Sequence, residues 1–213
     1  MPFDRGPAPL QIAVTAGALT PLLATLLARQ RAEEPETPVR LVETTVADQC
    51  WGLEEGRYCL GLSTTPDLLR HPLQSVALWQ DELAVAVPPR SPLLALAEIP
   101  LHEAVQHPLI LWHREDHEAP GPQIESLLAS VDMELVVQRV ASFELMAVLV
   151  AAGYGIGFHT KFRLSASRRL DIVMRSLAGE PHPVTTYLVH SCQPRPAAVD
   201  RLIQRARTIQ APH

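Results

Sequence analysis

From Leu10 to Leu62 the chain alternates strand-like runs with helical stripes, and the links between them are short. Leu-Gln-Ile-Ala-Val-Thr at 10–15 reads as a strand. Leu19, Leu22, Leu23, Leu26 and Leu27 then fall at i, i+3, i+4, i+7 and i+8, the stripe of a helix packed on a core. A second strand is expected at 39–44 and a helix at 46–55, closed by Gly56 in the left-handed conformation. A third strand follows at 58–62. Strand–helix–strand–helix–strand with short links requires parallel pairing and right-handed crossovers.

Two strands without an intervening helix come next, at 76–79 and 82–87, and then the pattern restarts. A short helix near 101–106 leads to a strand at 109–112. The helix at 122–132 turns Ile124, Leu127, Leu128 and Val131 inward. A strand at 135–140, a helix at 142–152 closed by Gly153, a strand at 155–158, a short helix and a strand at 171–177 complete the unit. A last strand at 184–190 and a helix carrying Val199, Leu202, Ile203 and Ala206 remain. The expected fold is therefore α/β with two Rossmann-like lobes. The second lobe, 89–181, is inserted into the first, 1–88 with 182–213. Two crossings, near Pro88 and Pro181, make a hinge, and a ligand cleft between the lobes is expected.

Composition narrows the function. The net charge is −5, with 23 acidic against 18 basic residues, which argues against this segment gripping phosphates directly. Three cysteines, Cys50, Cys59 and Cys192, are far apart and form no C-x-x-C pair, so neither a zinc site nor a disulfide framework is indicated. The first residues hold no apolar run of signal-peptide type, and no later run is long enough to span a bilayer. A reduced, cytoplasmic protein is expected.

The motifs mostly take plain readings. Gly153-Tyr-Gly-Ile-Gly157 follows a helix and enters a strand, the reverse of a dinucleotide fingerprint. His113-Arg-Glu-Asp-His117 has helical metal-site spacing, but Pro120, Gly121 and Pro122 make it a loop, and no metal is expected. His113 differs, because it directly follows a strand end. No nucleophile elbow or other catalytic set is placed by motif. Hydroxyl residues recur where strands run into helices: Thr15, Thr44, Thr45 and Ser142. Each suits an N-cap. Each also lies where unpaired N–H groups and the helix dipole favour an anion.

With these segments in order, the sequence resembles the effector-binding domain of LysR-type transcription regulators from about Leu10 to the C-terminal helix. The resemblance is carried by Leu-Gln-Ile-Ala-Val-Thr at 10–15, Pro-Val-Arg-Leu-Val-Glu at 38–43 and Gly-Arg-Tyr-Cys-Leu-Gly-Leu at 56–62. Glu-Leu-Ala-Val-Ala-Val-Pro-Pro-Arg-Ser-Pro-Leu at 82–93 and Leu-Val-Ala-Ala-Gly-Tyr-Gly-Ile-Gly at 149–157 complete it. It implies a fold like type 2 periplasmic binding proteins, a small-molecule effector, no cofactor and no catalysis. It also implies a homodimer or higher homo-oligomer, and DNA contact only through a winged helix-turn-helix domain outside this chain. The implied ligand positions are Thr15, Ala16, Gly17, Thr44, Thr45, Ser63 and Thr64 in the first lobe. In the second they are His113, Ser142, Phe143, Phe158 and His159. Gly17 stands where the family commonly has a second Ser or Thr, and two further departures bear on the site: Cys59 stands for an Asp, which puts a local hydrogen bond in question, and Thr160 stands for a Pro.

The resulting expectation is an allosteric switch for a small carboxylate or other oxyanion, aromatic in view of Phe143 and Phe158. A solute-binding protein of a transport system, or an enzyme on a related two-lobed scaffold, are the alternatives.

Overall fold

The computed structural model describes residues 8–65, 73–113, 120–129, 136–167, 170–192 and 194–209. The chain divides into two compact units, Met1–Gln80 with Thr185–His213, and Asp81–Val184.

In the first unit, β1 (Leu10–Val14) lies between β2 (Val39–Glu43) and β3 (Leu60–Ser63), all parallel. The register places Val14 opposite both Glu43 and Leu62, so the three C-terminal ends are level. Strand β10 (Pro183–Ser191) runs antiparallel to β3, with Leu188 opposite Leu62. Helices α1 (Pro21–Glu33), α2 (Val46–Glu54) and α7 (Ala197–Arg207) belong to this unit. Ile12, Val14, Leu22, Leu23, Leu26, Leu60, Leu62, Leu202 and Ile203 are buried in it.

Helix α1 starts later than the leucine spacing predicts. A 3-10 turn, Ala16–Ala18, intervenes, and Leu19 is 45% exposed. Pro21 is favoured in the first helical turn, whereas the residue before a proline is pushed to extended backbone, as Thr20 is at φ −118 and ψ 161. Gly56 takes the left-handed conformation, φ 73, after α2.

Helix α7 is tied to the end of α1 by charge. Arg205 donates to Glu33, Glu34 and Gln30 at 2.7, 2.6 and 2.6 Å, and Arg201 also pairs with Glu34. Hydrogen bonds from Arg201 and Arg205 hold the Glu34 carboxyl down to a pKa of about 2.

Strand β4 (Leu73–Val87) corrects the expectation of two separate strands at 76–79 and 82–87. In the sequence the polar Gln80-Asp81 step separates two apolar runs. The Asp81 carboxylate instead accepts from the Glu82 and Phe162 N–H groups at 2.8 and 3.0 Å, and the strand continues. The division between the two units falls after Gln80, within β4, and after Val184, within β10.

The second unit repeats the parallel core of the first. Strand β6 (Leu109–Trp112) lies between β7 (Val136–Val140) and β8 (Ile156–Thr160), all parallel. Strand β8 pairs antiparallel with β4, which also pairs with β9 (Val173–Leu177), and β9 pairs with the short β5 (Glu98–Ile99). The order β2-β1-β3 thus recurs as β7-β6-β8. Helices α3 (Leu101–Ala104), α4 (Gly121–Leu127), α5 (Phe143–Ala151) and α6 (Lys161–Ala166) complete the unit. The predicted tail of the 122–132 helix lies partly outside the described residues.

Val85, Ile110, Leu111, Met146, Val150, Ile156 and Phe158 form the core of this unit. Gly153 closes α5 at φ 83. Gly155 and Gly157 answer to packing: a Cβ at 155 would lie 2.4 Å from the Pro108 carbonyl oxygen, and one at 157 would lie 2.4 Å from Met146 Sδ.

Candidate functional site

Parallel strands end on the same edge, so each unit presents one row of strand ends where polar side chains collect. In the first unit that row is Thr44, Thr15 and Ser63, following β2, β1 and ending β3. Backbone bonds hold it level: Thr44 N–H to Val14 O and Thr15 N–H to Leu62 O, both at 3.0 Å. Thr15, Ser63, Thr64 and Thr65 are all buried, and Ala16 and Gly17 follow half-buried in the 3-10 turn.

These hydroxyls do different work. Thr45 is the N-cap of α2, its Oγ1 accepting the Asp48 N–H at 3.2 Å. Thr44 donates back to its neighbour's carbonyl, Thr45 O, at 2.7 Å. Thr15 precedes the 3-10 turn but makes no side-chain cap bond there; its hydroxyl sits 3.4 Å from Leu62 O. Ser63 Oγ accepts the Thr65 N–H at 3.2 Å and lies 3.1 Å from Thr65 Oγ1. Such a serine turn fixes the backbone after β3. Behind the row, fully buried Gln49 donates from Nε2 to Ala13 O and Leu62 O at 3.1 and 3.0 Å, bracing β1 against β3. Gly61 makes room for it, since a Cβ there would meet the Gln49 amide at 2.7 Å.

In the second unit the matching row is His113 after β6, Ser142 after β7 and His159 in β8. The exposed His113 is held by its N–H to Val140 O at 3.0 Å. His117 lies outside the described residues. Ser142 caps α5, accepting the Leu145 N–H at 3.3 Å. His159 is only 8% exposed and is held edge-on by Trp112 and Phe143, with ring centroids 5.6 and 5.1 Å away. Burial, with a smaller contribution from the Arg163 charge, pulls its pKa down to about 3. Phe158 differs from its neighbour: its side chain is 0% exposed within the apolar core, because successive strand residues face opposite ways.

Sequence reasoning passed over Thr65, Gln49 and Trp112. Thr65 stands in the Ser-Thr-Thr run at 63–65 and was findable there. Gln49 gave no signal, since a glutamine inside an amphipathic helix ordinarily faces water. At position 59 a hydrogen bond persists: the Cys59 thiol donates to Gln11 O at 3.1 Å, and burial pushes its pKa up.

A family model described as the LysR substrate binding domain matches residues 5–210. The chain belongs to that family. Its fold is that of LysR effector-binding domains. The BenM effector binding domain, solved with its effector benzoate, superposes with a TM-score of 0.84 at 19% identity, over 94% of this chain and 91% of that one. A reduced form of OxyR from N. meningitidis gives 0.80 at 15%, covering 94% and 95%. Full-length CbnR in complex with its target DNA gives 0.81 at 22%, covering 93% of this chain and 69% of that one. No curated protein was found to match the sequence. Among the described residues no helix is long and apolar enough to cross a membrane. The LysR assignment favours an effector-binding domain over a transport-system solute receptor.

Proposed function

We propose that this LysR domain binds a small organic anion at its strand-end hydroxyl rows, with Thr15 and Ser142 among the contacts, and performs no catalysis of its own. The carrying observation is the Thr15 hydroxyl. It is buried at a strand end, is not spent on a helix cap and, among the described residues, makes only a long contact to Leu62 O. Ser142 adds the N-terminus of α5, whose dipole and free N–H groups favour negative charge. BenM takes benzoate as its effector. A carboxylate of that size suits the same chemistry here.

In the parent regulator, a cytoplasmic homo-oligomer, DNA is held by another domain, in keeping with the net charge of −5 on this one. Effector occupancy biases that protein between two geometries. Moving such an equilibrium from 1:99 to 99:1 takes about 5.5 kcal/mol of differential affinity. The test is calorimetric titration of benzoate into the wild type, Thr15→Ala and Ser142→Ala. Loss of a hydrogen bond to a charged group, about 1.5–3 kcal/mol, predicts roughly ten- to hundredfold weaker binding. Unchanged affinity in both variants would sink the site assignment.

A further inference from the structure

His159 ends the buried part of β8, and Thr160 follows it as the N-cap of α6, with φ −69 and ψ 149. The Thr160 N–H donates to His159 Nδ1 at 2.7 Å, and the Thr160 hydroxyl lies 3.3 Å from the same nitrogen. A ring nitrogen that accepts cannot carry the proton, so the neutral imidazole bears it on Nε2. Among the described residues Nε2 has no protein hydrogen-bond partner. Two rings fix the plane: Trp112 at an interplanar angle of 70° and Phe143 at 88°. The Arg163 guanidinium lies 4.6 Å from the Phe143 centroid and pairs with Glu144 at 2.7 Å. Trp112 is itself anchored, its Nε1–H directed at Phe158 O at 3.5 Å.

We propose that His159 is the specificity-determining donor of the second unit: its Nε2–H, oriented by Thr160, Trp112 and Phe143, takes an acceptor oxygen of an organic acid or ketone and turns away a protonated amine. This rests on the effector-binding reading above. A ring that is neutral supplies a donor without a buried charge to balance, which is the cheaper arrangement at this burial. It also has nothing at Nε2 that an ammonium group could donate to.

Thr160 is what makes the donor reliable. A proline at that position has no N–H to give, yet prefers the φ that Thr160 already has, and the residue before it favours the extended backbone of a strand. Thr160→Pro therefore removes the lock while keeping the chain's path.

The experiment combines long-range 1H–15N spectra of histidine-labelled protein with calorimetry, using benzoate, 2-oxobutanoate and benzylammonium as probes. The wild type is expected to show the Nε2–H tautomer of His159 from about pH 5 to 8, and Thr160→Pro a mixture of tautomers. One of the two acids shifts the Nε2 resonance, and benzylammonium leaves it unmoved. His159→Phe weakens that acid about tenfold, whereas His159→Gln, which keeps an N–H donor, stays within about threefold. An Nδ1–H or charged ring in the wild type overturns the proposal. So does His159→Phe binding the acid as the wild type does, binding of benzylammonium, or binding of neither acid. Loss in His159→Phe with undiminished affinity in Thr15→Ala and Ser142→Ala would sustain His159 while removing the hydroxyl assignment.

Discussion

Gly155 and Gly157 meet different neighbours. The atom facing a Cβ at 155 is the Pro108 carbonyl oxygen, part of the backbone entering β6, and it cannot step aside. The atom facing 157 belongs to the flexible Met146 side chain. Gly155→Ala is therefore expected to cost about 1–3 kcal/mol as overpacking, and Gly157→Ala less, by urea denaturation. Equal losses would contradict this ordering. Two buried ionisable groups set the acid response. His159 has a folded pKa of about 3, below its unfolded value, so the unfolded state binds the extra proton and stability falls as pH drops below about 6.5. Glu34 has a folded pKa of about 2, so the stability that its ion pairs contribute is present above about 4.5 and lost as pH falls toward 2. The stability profile of His159→Gln should flatten from about pH 6.5 downward, whereas that of Glu34→Gln should match the wild type above about pH 4.5 and flatten only below it; a Glu34→Gln effect on the slope between about pH 5 and 6.5 would refute the assignment. Gly153 was legible as a helix closure, being a local matter. The need for glycine at 155 was not, because Pro108 reaches it only through the pairing of β8 with β6.

Helix α7 shows the same division at the next scale. Its apolar stripe of Val199, Leu202, Ile203 and Ala206 is readable from spacing, and all four are buried. Its charged face is not readable in that way. Arg201 and Arg205 converge on Glu34 after α1, and Arg205 also reaches Gln30 and Glu33 within it. Arg205→Ala leaves Glu34 short of a partner and should raise amide exchange in α7 and the end of α1 by on the order of tenfold, with β6 unaffected as the internal control. Uniform change across the molecule would deny the clamp. Strand β4 differs from its sequence expectation for a related reason. The Asp81 carboxylate lies between the two apolar runs, and the N–H groups of Glu82 and Phe162 satisfy it within the strand.

At the scale of the molecule, two small α/β cores carry the stability. Leu111 is almost fully buried in the second core, and Leu111→Ala should cost about 2–5 kcal/mol in urea. An effector at a hundred times its dissociation constant should add about 2.7 kcal/mol. Thermal melts with benzoate test that gain, and no shift under saturating benzoate would exclude it as a ligand of the folded state.

The two-unit α/β plan, the helix-closing glycines and the strand-end hydroxyls were determined by the sequence itself, because periodicity and turn chemistry act between near neighbours in the chain. The order β2-β1-β3 and its repetition as β7-β6-β8 were decided only in three dimensions. So were the brace of Gln49 across β1 and β3, the clamp on α7 and the edge-on seating of His159 against Trp112 and Phe143. Each depends on which distant segments pair. Hydrogen bonds and steric contacts between such segments leave no spacing in the chain from which they can be read.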